Sequence, residues 1–325
     1  MSLRVTQSMM NARLLSNITG NMNRMNTLQD QLSSGKRINK PSDDPVGLTF
    51  AMRYRSELQA NDQYERNVDA ATSLLEYTDT TMGEAMDVVH RVRELMVQGA
   101  NGALPQDARD SITVEVKQLF SQLVEIGNSQ FNGKYMFNGE QTQTAPYLKR
   151  TIDEAAAVTP AQLAADPTAN FLAQNVTSDT GQIKYELSTG MTMAVNVTGN
   201  EFFGEQVLPG QETTSDNIFN VLTQMVKALD AGDSTAVSNM ISKIDSRMST
   251  MLEKRSEVGA RANRIELITN RLANNNINLQ SVSAKTEDAD MSLVITNLKM
   301  EENVYQASLS AGAKLIRPSL IDFLR

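Results

Sequence analysis

The chain has 325 residues, 40% of them hydrophobic but only 5% aromatic, with no Trp and a formal net charge of −8. That length buries a core, while the shortage of large rings argues against one thick globule and for an elongated build. Cysteine is absent and histidine occurs once, which excludes disulfides, iron-sulfur clusters and thiolate zinc sites, leaves little for acid-base chemistry near neutral pH, and joins a negative balance that opposes general nucleic-acid binding.

The first forty residues run against that balance. Arg4, Arg13, Arg24, Lys36, Arg37 and Lys40 stand against Asp30 alone, a distribution suited either to an acidic neighbouring subunit or to a solvated basic face. Leu15, Ile18, Met22, Met25 and Leu32 follow a 3-4 alternation there, which predicts an amphipathic helix that cannot bury its stripe alone. The opening "MSLRVTQSMMNARLLSNITG" lacks the compact apolar region and small-residue cleavage site of a secretory signal, and no stretch is apolar for long enough to span a bilayer. Export is therefore expected by another route.

Next comes "LSSGKRINKPSDDPVGL", residues 32 to 48. A phosphate loop needs a glycine five residues before the Gly-Lys pair and a hydroxyl after it, and neither is present. Asp43 and Asp44 lack the ligand spacing of a calcium loop. A structural corner explains more of the residues. Gly35 suits the left-handed end of the first helix, with Lys36 and Arg37 at its negative terminus. Pro45 suits the first position of the next helix and pushes Asp44 toward the extended geometry of an N-cap.

Beyond Pro45 the period becomes seven. Tyr54, Asn61, Val68, Leu75, Met82, Val89 and Met96 keep that stride, and Val237, Ile244, Met251, Val258, Ile265, Leu272 and Leu279 repeat it. These are coiled-coil-like seams, and a helix of about fifty residues extends roughly 75 Å. His90 lies on the first of these helices, where a surface or interface role outweighs catalysis. A further helix is expected after "GALPQD", with Pro105 ahead of its first turn and Ile112, Val116, Leu119, Phe120, Leu123 and Ile126 at helical spacing, ending near "GNSQFNG". From 140 to 212 the chain turns to Thr, Gly, Asn and Pro, and "KYELSTGMTMAVNV" alternates around a Ser-Thr-Gly turn, which predicts a small β-containing insert. Residues 216–229 predict another helix, joined by "DAGD" to the second long one.

At the C-terminal end the acidic "TEDAD", residues 286–290, reads as a helix start with Glu287 and Asp288 near its positive end. Leu293, Met300, Val304, Ala307 and Ala311 then form a stripe matching the N-terminal one, so the two terminal helices are expected to pair. Pro318 ends that helix before an exposed-looking apolar tail. The expected fold class is mainly α: a long coiled-coil-like helical rod built from both chain ends, with a small β-containing domain inserted at the tip. The expected domains are 1–44 with 284–325, 45–139 with 213–283, and the insert 140–212. No catalytic, metal or cofactor-binding residue is assigned. An insert of this size without histidine or a nucleotide fingerprint is a poor enzyme.

These motifs resemble the flagellin superfamily. "LSSGKRIN" followed by "DDPVGL" resembles its N-terminal signature, "HRVRELMVQGANG" its first rod helix and "EDADM" its C-terminal signature. Within it, "NKPSDDPVG" and "GNSQFNGKYMFNGEQT" look like the branch that joins hook to filament rather than filament flagellin, which usually has alanines in place of the prolines. The ending "IRPSLIDFLR" departs from the usual flagellin ending. The resemblance implies a non-enzymatic structural subunit of the extracellular bacterial flagellum, exported through the type III apparatus without a cleaved signal peptide. It would assemble by folding disordered terminal helices against its neighbours. Filament flagellin is the alternative; a secreted helical effector and an enzyme-bearing flagellin are the lesser ones.

The partners implied are other copies in a ring, the other hook-filament junction protein, flagellin and a dedicated export chaperone. The chaperone or assembly contact would use the tail at Leu315, Ile316, Leu320, Ile321, Phe323 and Leu324. By motif position, Arg91, Leu95 and Glu115 correspond to residues that pack subunits in the family and that an innate immune receptor reads. No cofactor is implied.

Overall fold

The computed structural model describes residues 7–159, 162, 168 and 171–315, without side chains for 7, 8, 314 and 315. The tail residues Ile316, Leu320, Ile321, Phe323 and Leu324 lie outside the described residues, and Leu315 is described in its backbone only. The chain is mainly α, with long helices from both ends and small two-stranded sheets between them. It divides into two compact units, residues 1–62 with 273–325, and residues 63–272.

In the first unit, α1 (Gln7–Ser34) lies against α8 (Met291–Leu315). They run antiparallel: Leu14 meets Gly312, and ten residues further along Arg24 pairs with Glu301 at 2.7 Å. A Cβ on Gly312 would come within 2.7 Å of Leu14 Cδ2, so a larger residue there would force the Leu14 side chain to move. The buried face of α8 carries Val294 and Leu298, and Asn21 is the buried polar residue of α1. Two longer helices, α2 (Pro45–Gly99) and α7 (Ser234–Glu287), contribute segments to both units.

In the second unit the seven-residue stride becomes a packed seam. Val68, Leu75, Met82, Val89 and Met96 of α2, and Val237, Ile244, Met251, Val258, Ile265 and Leu272 of α7, are all 2% exposed or less. The ion pairs Arg255–Asp79 (2.8 Å) and Arg93–Asp245 (2.6 Å) flank this seam and show that the two helices run antiparallel. Helix α3 (Gln106–Gly127) starts behind Pro105, whose φ of −67° suits a helix start and whose missing N–H costs nothing there.

Ten of the fourteen residues of α6 (Ile218–Ala231) are buried, so this helix is central to the unit and leaves only a narrow face with Lys227 and Asp230 exposed. Asn217 caps it fully satisfied. Its Oδ1 accepts from the Phe219 and Asn220 amides, and its Nδ2 donates to the Gly204 and Glu205 carbonyls.

Two hairpins complete the unit. Strands β1 (Gln130–Phe131) and β2 (Lys134–Tyr135) close at Asn132–Gly133; β3 (Lys184–Ser188) and β4 (Met191–Ala194) close at the Ser-Thr-Gly turn. The short helices α4 (Ile152–Ala156) and α5 (Gly199–Phe203) lie in the same region. Phe203 of α5 packs on Phe137, Tyr147, Phe202 and Phe219 with ring centroids 4.9–5.6 Å apart. With Phe120 these rings form a six-membered aromatic cluster in the core of the unit.

Candidate assembly site

The segment after α1 is a corner folded by its own hydrogen bonds. Gly35 takes φ +71°, where an L side chain is strained, and its N–H donates to the Gln31 carbonyl to close the helix. The chain then bonds to the turn between α7 and α8. The Arg37 amide donates to the Glu287 carbonyl at 2.7 Å, and the Ala289 amide donates to the Gly35 carbonyl at 2.9 Å. Asp43 Oδ2 accepts from the Asn39 and Lys40 amides, which folds the linker. Asp44 Oδ1 accepts from the Gly47 amide at 2.8 Å, in the manner of an N-cap ahead of Pro45. That bond, with help from Arg37, holds the Asp44 carboxyl below the usual carboxylate range.

Two expectations about this region change. "TEDAD" is not one helix start: Glu287 ends α7, and Asp290 caps α8 by accepting from the Ser292 and Leu293 amides at 3.0 and 3.1 Å. A carboxylate at a helix C-terminus faces the unfavourable end of the dipole, so Glu287 needs cations. Lys36 at 3.2 Å and Arg55 supply them, and Ser283 donates a further bond. Arg37, in turn, donates to the Thr286 carbonyl at 2.9 Å, so it serves the end of α7 rather than that of α1. Glu287 is the residue that sequence reasoning placed at the wrong helix end, because both of its cations come from the other end of the chain.

Burial alone pushes the Glu287 carboxyl up, but Arg55, Lys36 and Ser283 together hold it below its ordinary value. A carboxylate with a depressed folded pKa adds stability above its unfolded pKa and loses it as pH falls through the folded one. The contacts between residues 35–38 and 286–289 are therefore expected to weaken below about pH 4.3. Glu287→Gln should cost about 1 kcal/mol at neutral pH, since both cations are more than a third exposed, and should flatten the acid limb. Hydrogen exchange at the Arg37 and Ala289 amides between pH 7 and 3 checks this. Identical profiles for the two proteins would exclude the role given to Glu287.

The two stripes divide by face. Ile18, Met25 and Leu32 are half-buried, while Leu15 and Met22 point outward. On α8 the expected stripe is the outward one: Leu293, Met300, Val304, Ala307 and Ala311 are all exposed, and pairing uses Val294 and Leu298 instead. The helix is apolar on two sides, so a single 3-4 stripe did not identify the inner one. In the second unit, Arg91 binds Glu115 at 2.7 Å and Glu94 at 2.8 Å, an exposed cluster that raises the arginine pKa. Leu95 is 1% exposed and packs inside its own chain, so the surface of that triplet is ionic. Among the described residues, no helix is long and apolar enough to cross a membrane.

Helices from both chain ends, paired and joined by a polar corner with an apolar stripe left outward, define a mainly helical protein built from its two termini. Residues 5–142 match the bacterial flagellin N-terminal helical region, and residues 241–324 match the bacterial flagellin C-terminal helical region. The chain belongs to the bacterial flagellin family.

It is 22% identical over 325 residues to flagellar hook-associated protein 3 of Escherichia coli, covering 95% of this chain and 96% of that one. It is 24% identical over 287 residues to the flagellar filament 30.7 kDa core protein of Treponema maltophilum, covering 88% and 86%. The flagellar junction protein FlgL of Legionella pneumophila shares the fold with a TM-score of 0.53 at 18% identity, over 75% of this chain and 100% of that one.

Proposed function

We propose that the chain is a non-enzymatic structural subunit joining the flagellar hook to the filament. The end-to-end match to hook-associated protein 3 carries the reading, and the prolines of "NKPSDDPVG" agree with it. In this reading residues 1–44 with 284–325 build the inner tube, 45–139 with 213–283 the rod domain, and 140–212 a surface insert. Subunits arrive through type III export with unfolded ends. The ends then fold against neighbouring copies, the other junction protein and flagellin, and the outward stripe is buried at that moment. The corner at Gly35, Asp44 and Pro45 joins the inner-tube helix to the start of the next helix.

The match to the treponemal filament core protein favours a second reading, that of a filament subunit. Electron microscopy of a deletion strain separates the two. Bare hooks with flagellin released into the medium are expected for a junction subunit. Hooks that still carry normal filaments would exclude it, and hooks without filament or released flagellin would mark a filament subunit.

A further inference from the structure

Two copies of one tripeptide, Phe-Asn-Gly, lie six residues apart, at 131–133 and 137–139. An asparagine followed by glycine loses its side-chain amide without an enzyme. The glycine backbone nitrogen, after giving up its proton to solvent, attacks the asparagine Cγ; the bond from Cγ to the side-chain nitrogen breaks, and ammonia leaves behind a five-membered succinimide. Water then opens either ring carbonyl, which gives aspartate or, with the backbone rerouted through the side chain, isoaspartate. The sum is one water consumed and one ammonia released, with no oxidation or reduction. Glycine favours the attack because no side chain shields its nitrogen.

By immediate sequence the two sites are nearly alike, and the fold separates them. Asn138 is only 5% exposed. Its Nδ2 donates to the Gln141 and Thr144 carbonyls at 3.1 and 3.0 Å, and its Oδ1 accepts from the Asp179 amide at 3.0 Å. Gly139 is enclosed as well, since the Asp179 carbonyl oxygen lies 2.5 Å from where a Cβ would stand. An amide bonded through both its atoms and closed in on its neighbour's side is held away from ring closure.

Asn132 is the opposite case. It is exposed, its side chain makes no hydrogen bond among the described residues, and nothing lies within 4 Å of a Cβ built on Gly133. The backbone favours the reaction too. Asn132 takes φ +52° and Gly133 φ +77°, the left-handed pair of a two-residue I′ hairpin turn. Rotating the peptide between them converts this turn to II′, which keeps the positive φ at Asn132 and leaves the pairs Phe131↔Lys134 and Gln130↔Tyr135 in place. That rotation swings the Gly133 nitrogen toward Asn132 Cγ.

We propose that Asn132 is a site of spontaneous deamidation and isomerisation, and that the fold protects Asn138 from the same reaction. The product sets a new carboxylate beside Lys134. Its isoaspartate form also adds a methylene to the backbone of the two-residue turn, which then no longer fits the register of β1 and β2. The site is independent of the assembly reading, since it uses none of the same residues.

Ageing the full chain in mildly alkaline buffer, folded and in denaturant, tests it by peptide mass mapping with an isoaspartate-specific methyl label. In the folded chain Asn132 is expected to convert about tenfold or more faster than Asn138, and in denaturant the two rates should agree within about threefold. Hydrogen exchange across residues 130–135 should quicken in the fraction that carries isoaspartate. Equal rates in the folded chain would overturn the proposal, as would an unreactive Asn132 in a folded chain whose denatured form converts at both sites. A tenfold gap that persists in denaturant would assign the difference to local sequence and overturn the protective role of the fold. Unchanged exchange at 130–135 would overturn the loss of the turn.

Discussion

Phe203→Ala is expected to destabilise residues 63–272 by about 3–5 kcal/mol, the usual range for removing a fully buried phenylalanine. Phe203 is 0% exposed and touches four other rings, from Phe137 of the segment after β2 to Phe219 of α6. The void cannot collapse easily, because Gly204 holds the backbone at φ +110° with Asn217 Cα only 2.6 Å from where a Cβ would stand. In a unit of this size each kcal/mol moves the midpoint by roughly 2–4 °C, so thermal unfolding should shift by roughly 10 °C. Denaturant unfolding followed by near-ultraviolet circular dichroism reads the same loss. A change below about 1 kcal/mol would mean that the ring cluster is not the core of this unit.

Leu293→Asp/Met300→Asp is expected to leave the monomer folded and abolish assembly. These side chains are 58% and 56% exposed, so their replacement should alter monomer stability by less than about 0.5 kcal/mol. Burial of two such chains against a neighbour contributes about 1.5–3 kcal/mol each, so association should fall by at least about two orders of magnitude. Leu298→Asp supplies the contrast. It lies one turn along on the inner face, 7% exposed, and should instead disrupt the α1–α8 pair. Monomer circular dichroism and a motility assay give the two readouts. Normal swimming by the double variant would contradict the packing role assigned to the outward stripe.

The contrast between Leu293 and Leu298 also marks where sequence reasoning stops. Both lie in apolar periodic patterns on one helix, and local spacing ranks them equally. What turns Leu298 inward is α1, at the other end of the chain. Glu287 teaches the same lesson in charge. At the end of a helix an isolated glutamate is disfavoured, and only the arrival of Lys36 and Arg55 makes that position sound.

Local physics was legible where a feature is decided within a turn or two of chain. The seven-residue stride placed Val68 through Met96 and Val237 through Leu272 in a seam, because burial on a helix follows directly from spacing. Pro105, the glycines of "GNSQFNG" and the Ser-Thr-Gly turn marked element ends, because proline and left-handed residues restrict the backbone wherever they occur. The family signatures were readable for the same reason, being short runs of such residues in a set order. Tertiary structure alone decided which of two apolar faces is internal, which end of a helix an acidic residue serves, and where the aromatics collect. Those outcomes depend on contacts between separate elements of the chain, and no local pattern encodes the partner.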